Sequence, residues 1–235
     1  MVLPPMAEGL IGPPGGQRCI RKNRAITLAW CLAAVATVVL VCSFASDADS
    51  RDNAFTLFTA TVGLAIALQQ WAASVRPYLS HTAAPRQNEH GSALYVATPP
   101  SSPHPLSWKV ALRNVGGGPA IFRKVHFELC LPATAAEAKR AAASYDSADA
   151  LAEALGAAGL SFGTDFYLYN VSPGGALAPL AETALFELAI CKSHAISTLD
   201  IHLEFEGLLG DRFTKTVNCI PRAGELRRLS ARLCP

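Results

Sequence analysis

The chain has 235 residues, of which 51% are hydrophobic and only 16% charged, and its formal net charge is +2. So low a charged fraction falls well short of the quarter usual in a soluble domain. So small a net charge, with no Lys/Arg-rich run interleaved with aromatics, argues against a nucleic-acid-binding protein.

Residues 1–24 hold PP, GPPGG and the basic residues Arg18, Arg21, Lys22 and Arg24. They read as a disordered basic N-terminal tail. From Ala25 to Ala45 there is no charge at all. At about 1.5 Å per residue this run spans roughly 30 Å, the thickness of a bilayer's hydrocarbon core. It is expected to form transmembrane helix 1 (25–45). A second apolar run, Ala54 to Val75, is expected to form transmembrane helix 2 (54–75), with Trp71 at interface depth and Pro77 ending the helix. The loop between them carries Asp47, Asp49 and Asp52 against a lone Arg51, and Arg76 and Arg86 follow the second span. Basic flanks belong in the cytoplasm. The expectation is therefore a multi-pass protein of the cell's inner (plasma) membrane with both termini cytoplasmic. Thr56, Thr59, Thr61, Gly63 and the alanines would let the two helices approach closely. A secretory signal peptide covering residues 18–45 is the rival reading. The length of the apolar run, and the second run directly after it, weigh against that rival.

Residues 76–105 hold Pro77, Pro85, Pro99, Pro100, Pro103 and Pro105. They read as a Pro-rich tether with a short strand at Leu94 to Ala97. Residues 106–235 alternate in the manner of half-buried strands. Trp108, Val110 and Leu112 share one face, and Val125, Phe127 and Leu129 share another. Further strands are expected at 164–171, 183–191, 197–206 and 212–220, with turns at 172–175 and 207–211. The fold class is a membrane-anchored α+β protein: a two-helix hairpin, then an antiparallel β-sandwich (Ig-like). An Ala-rich helical insertion, 133–159, carries an N-cap at Asp146 or Ser147 and Gly159 past its end. Leu226, Leu229 and Leu233 suggest a short C-terminal helix, packed on the domain or lying near anionic lipid. Of the seven cysteines, Cys130, Cys191 and Cys219 fall inside strand-like runs and read as small core residues kept as thiols.

The best local signature is Asn114-Val-Gly-Gly-Gly-Pro-Ala120, read as a turn whose glycines supply positive φ. Together with Arg76-Pro77 at the end of the hairpin and Gly207-Leu-Leu-Gly-Asp211-Arg-Phe, it resembles uncharacterised bacterial (actinobacterial-like) membrane proteins. These have two N-terminal transmembrane helices and a β-sandwich domain carrying an N-x-G-x-G-P-A turn. The resemblance implies a fold and an anchor and no activity. Without a following helix and a Lys-Ser/Thr pair, the glycine turn is no phosphate loop. A repeated His-x-Glu, His126/Glu128 and His202/Glu204/Glu206, would be a metal candidate if the two strands were adjacent, but it reads as a solvated outer face. No HExxH motif occurs, and no nucleophile–base pattern is assigned. No catalytic, cofactor-binding or metal residue is therefore assigned, no cofactor is expected, and the chain is read as a non-enzyme. The expected partners are the lipid bilayer, an unknown protein and a second copy through the helices, with no nucleic acid. The function expected is a membrane-anchored interaction or scaffold module. The alternative is a ligand-gated two-helix membrane effector whose β domain binds a small molecule.

Overall fold

In the computed structural model, residues 10–11, 17–21, 24–43, 48–87, 106–132, 142–169 and 171–220 are described. Two helices, α1 (Arg24–Ser43) and α2 (Ala48–Ser74), form an antiparallel hairpin. Both are long and apolar enough to cross a membrane. Their seam is built from small residues: Ala33, Ala36 and Ser43 on α1 meet Ala54, Ala65 and Ala72 on α2. The spacing of three, seven and eleven keeps these positions on one stripe, and small side chains let the backbones come close. The threonines expected to help do something else. The hydroxyls of Thr56, Thr59 and Thr61 donate to carbonyls of their own helix, at Asp52, Phe55 and Leu57. Gly63 faces outward with open space around it. Across the seam, Trp30 Nε1 donates to Gln69 Oε1 at 3.1 Å. The outward faces are apolar on both helices, with Leu28, Leu32, Val35, Val38, Val41, Phe55, Leu57 and Leu64 all exposed.

The remaining described residues form two antiparallel sheets. The first has the order β1 (Leu10–Ile11), β3 (Leu79–Gln87), β4 (Leu106–Asn114), β9 (Glu182–Ala189), β7 (Phe166–Leu168). The second has β2 (Gln17–Arg21), β11 (Arg212–Asn218), β10 (Thr198–Glu206), β5 (Ala120–Cys130), β6 (Ala143–Tyr145), with β8 (Ala176–Leu177) paired to β5. Alternation of apolar and polar residues puts Val110, Leu112, Phe186 and Leu188 of the first sheet into one core with Leu199, Ile201, Phe205 and Val217 of the second. Trp108 Nε1 donates to the Cys219 carbonyl at 2.9 Å, tying one sheet to the other. Cys219 is buried, Cys130 and Cys191 are half-buried, and none of the three is in a disulfide.

Two boundaries expected from sequence change. The 1–24 segment is not a disordered tail throughout, because Gln17–Arg21 joins the second sheet beside β11 and Leu10–Ile11 joins the first beside β3. The tether shortens, because Leu79–Gln87 pairs along its whole length with β4. The short strand expected at Leu94 to Ala97 lies outside the described residues, as do 133–141 of the insertion and the C-terminal leucines. Within the insertion, α3 (Ala148–Ala157) forms as expected. The Ser147 side chain accepts from Ala150 N–H, Gly159 follows at φ +86°, and Leu151 and Leu155 are fully buried.

β2 leads directly to α1, and α2 leads directly to β3, so both legs of the hairpin leave the same end of the β domain. The β4–β5, β8–β9 and β10–β11 connections lie at that end too.

Candidate functional site at the hairpin joint

The three motif fragments picked out in the sequence converge on one place, the four residues Ser74 to Pro77 where α2 becomes β3. The Gly116-Gly117-Gly118 turn lies directly against them. A Cβ on Gly116 would collide with the Arg76 carbonyl and Tyr78 N–H, one on Gly117 with the Ser74 carbonyl, and one on Gly118 with the Val75 carbonyl. None of these glycines has positive φ; among the described residues that conformation belongs to Gly159, Gly163, Gly174, Gly210 and Leu180. The expected reason for the glycines is therefore corrected: the turn needs the absence of side chains because backbone packs on backbone.

Asn114 anchors the turn. It is wholly buried, and its amide is satisfied on every side. Oδ1 accepts from Tyr78 N–H at 3.2 Å and Gly116 N–H at 3.0 Å. Nδ2 donates to the carbonyls of Gly118 at 2.8 Å and Leu177 at 3.0 Å. Val115 N–H donates to the Tyr78 carbonyl at 2.8 Å, so the turn is also stitched to the start of β3 by main chain. On the other side, Arg76 Nε lies 3.2 Å from Asp211 Oδ2, a carboxylate that is 2% exposed. A Cβ on Gly207 would sit 2.9 Å from the Pro77 ring. Gln17 of β2 bridges from the second sheet, donating to the Pro77 carbonyl and accepting from Leu79 N–H. The exit of α2 is thus held by β2, the glycine turn and the β10–β11 turn, with little room for independent motion.

The His-x-Glu strands are neighbours after all. His126 and His202 stand directly opposite each other on β5 and β10, with ring centres 6.0 Å apart. His202 Nε2 lies 3.3 Å from Glu128 Oε2, and His202 Nδ1 lies 3.0 Å from the Thr216 hydroxyl. His126 Nδ1 lies 2.9 Å from Asp146 Oδ1, and its Nε2 lies 2.6 Å from the Ser144 hydroxyl. With the proton on Nδ1, His126 donates to Asp146 and accepts from Ser144; that hydrogen bond holds the Asp146 carboxyl below its usual range. The face is only partly solvated. Asp200 Oδ1 and His202 Nε2 are both cut off from water, and burial pushes the Asp200 carboxyl up. His202 Nε2 is unsatisfied although Glu128 is near, because at this angle the contact is an ion-pair approach and not an aligned hydrogen bond. Among the described residues no group of three or more His, Cys, Asp or Glu side chains converges as metal ligands would.

Ser144, His126 and Asp146 have the order of a nucleophile–base–orienter chain, which the sequence does not reveal because the three meet only through strand pairing. Its surroundings do not favour catalysis. The Asp146 side chain is 79% exposed, so water competes for the bond that would orient the imidazole, and Ser144 is exposed as well.

A cleft of about 330 Å³ opens between α3 and β5, floored by Val125, Phe127 and Leu168 and rimmed by Asp146, Asp149 and Ser172. Elsewhere, Lys215, in phase with Phe213 and Val217 on β11, points inward, is 2% exposed, and makes no hydrogen bond or ion pair among the described residues. Burial pulls its ammonium below the ordinary lysine range. His81 of β3 is held down by burial and by Lys215 nearby, and its Nδ1 is buried without a partner. The strict alternation of β11 marks Lys215 from sequence alone; His81 is concealed there by the proline-rich stretch around it.

Compared with protein-family models, curated proteins and solved structures, the chain matches none.

Proposed function

We propose that this chain is a membrane-anchored interaction or scaffold module. The hairpin spans the inner membrane, and an Ig-like β-sandwich is held at its cytoplasmic face to bind a protein partner. The observation that carries the reading is the joint. Gly116–Gly118, Asn114, Asp211 and Gln17 clamp the exit of α2, so the domain is presented in a fixed attitude and not on a swinging tether. The largely apolar outer faces of α1 and α2 support the bilayer as their solvent, since a water-exposed apolar surface of that extent is an aggregation hazard. Pairing of β2 with β11 supports retention of residues 18–45, because cleavage after them would strip a strand from the sheet. The resemblance to two-helix bacterial membrane proteins with an N-x-G-x-G-P-A turn agrees with this reading. Carbonate extraction of membranes tests the anchor: the chain should stay in the pellet, and release into the supernatant overturns it. Binding without catalysis is tested by a fluorophosphonate probe, which should leave Ser144 unlabelled; labelling that vanishes in His126→Ala would make the chain an enzyme.

The cleft beside α3 favours a second reading, the ligand-gated effector. It falls at the small end of the size range of ligand pockets and combines an apolar floor with a polar rim. Dye-loaded vesicles carrying the full chain should stay sealed when a panel of small polar metabolites is added. Leakage triggered by one of them, and lost on Phe127→Ala, would put this second reading first.

A further inference from the structure

Large apolar side chains crowd the end of the β domain from which the hairpin emerges. Leu180 is 69% exposed, Leu208 is 61% exposed and Val115 is 45% exposed. Each belongs to a connection fastened to the joint. Leu180 N–H donates to the Asn114 carbonyl, Val115 N–H donates to the Tyr78 carbonyl, and Leu208 follows Gly207, which lies against Pro77. Trp71, also exposed, is on the last full turn of α2.

From these observations we infer that the β4–β5, β8–β9 and β10–β11 tips sit in the headgroup layer of the bilayer, with Leu180 and Leu208 reaching toward the acyl chains. The inference rests on the reading of the hairpin as membrane-spanning and adds a second contact between protein and lipid.

Depth supports it. Trp favours the membrane–water interface. Ser74, the last residue of α2, is three residues past Trp71, about 4.5 Å along a helix at 1.5 Å per residue. The headgroup layer is roughly 5 to 8 Å thick on each side of the hydrocarbon core. Loops packed on Ser74 to Pro77 therefore lie at headgroup depth when Trp71 lies at the interface.

Leu180 supplies an independent reason. It is the one described residue other than glycine with positive φ, at 61°. A leucine is strained in that conformation, and here its side chain gains little burial against the protein. A strained backbone that holds a bulky apolar side chain out of the fold is explained if an apolar medium receives it.

The test uses the full chain in vesicles of phosphatidylethanolamine and phosphatidylglycerol. A benzophenone amino acid replaces Leu180, Leu208, Leu57 or Phe162, one at a time. Leu57 faces outward from α2 and reports the span itself. Phe162 is 56% exposed and adjoins β7, whose Phe166 pairs with Leu188 at the far end of β9, so it reports an exposed apolar residue away from the joint. On illumination, phospholipid adducts should form at 180, 208 and 57 and not at 162. Adducts at 57 without adducts at 180 and 208 overturn the inference and leave the anchor standing. Cross-linked dimers at 180 and 208 in place of lipid adducts overturn it in favour of a contact between copies. Absence of adducts at 57 overturns the spanning hairpin, and this inference with it.

Discussion

Asn114 shows how much can depend on one side chain. Its amide makes four hydrogen bonds, so Asn114→Ala strands two N–H groups and two carbonyls in a dry place. The expected loss is roughly 2 to 4 kcal/mol. Asn114→Asp should cost a similar amount, because a carboxylate cannot donate to Gly118 and Leu177. Melting of the detergent-solubilised chain checks both, and a wild-type midpoint for Asn114→Asp would show that the two donated bonds contribute nothing. Gly117→Ala is expected to cost about 1 to 3 kcal/mol by the same measurement, since the obstruction is the Ser74 carbonyl and backbone cannot swing aside. Lys215 acts in the opposite sense. Its folded-state pKa is below the ordinary 10.5. Between those two values the unfolded chain binds more protons than the folded one, so this residue makes stability rise with pH across that window. Lys215→Met should stabilise the fold by roughly 1 to 3 kcal/mol at neutral pH. The gain should shrink as pH climbs toward 10.5. A gain that stays constant with pH would mean that the effect is packing alone. Comparison with wild type at each pH is essential because Cys219, pushed up by burial, works the other way above its ordinary 9.0.

At the scale of elements, what is legible in the sequence follows from period and length. The hairpin helices, β5, β10 and β11 are long and regular, and their expected ranges agree with the structure within a few residues, except that α2 begins earlier, at Ala48. β1 and β2 are hidden because such short strands among Pro and Gly carry no alternation of their own; each exists through a partner far away in sequence. β3 is hidden by Pro85 within it and Pro77 just before it, which mark a tether by local chemistry while tertiary pairing with β4 makes a strand. The glycine turn is visible in the sequence, but its reason is not, since crowding by the end of α2 is a property of the assembled fold. The helix seam misleads in a related way. Threonines and Gly63 look like interface residues, yet alanine fills that place and the threonine hydroxyls turn back on their own helix. This difference is testable. Ala65→Leu places a large side chain in a fully buried seam and should cost roughly 1 to 3 kcal/mol. Gly63→Leu faces open space and should leave the melting midpoint unchanged or raised, because glycine is a poor helix former. The reverse order of effects in detergent melts would move the seam to the threonine face.

At the scale of the whole molecule, pairing of β2 with β11 and of β1 with β3 imposes a constraint that charge counting alone does not. Residues before α1 and residues after α2 belong to the same two sheets. If the hairpin spans a bilayer, both of its legs must therefore return to one side, and the number of crossings must be even. Which side that is follows from charge. Arg18, Arg21 and Lys22 precede α1 and Arg24 begins it, Arg76 follows α2, and residues 46–53 between the two apolar runs hold three aspartates and one arginine. Lys and Arg near span ends are retained in the cytoplasm. The domain and both termini are therefore expected to be cytoplasmic, with only the short acidic loop outside. A fluorescent protein fused before Met1 and, separately, after Pro235 should glow in both chains, and alkaline phosphatase at the same two places should be inactive. Active phosphatase at both ends would invert the orientation and leave the paired sheets intact. Opposite results at the two ends would be more damaging, because no arrangement of β2 beside β11 survives a membrane between them.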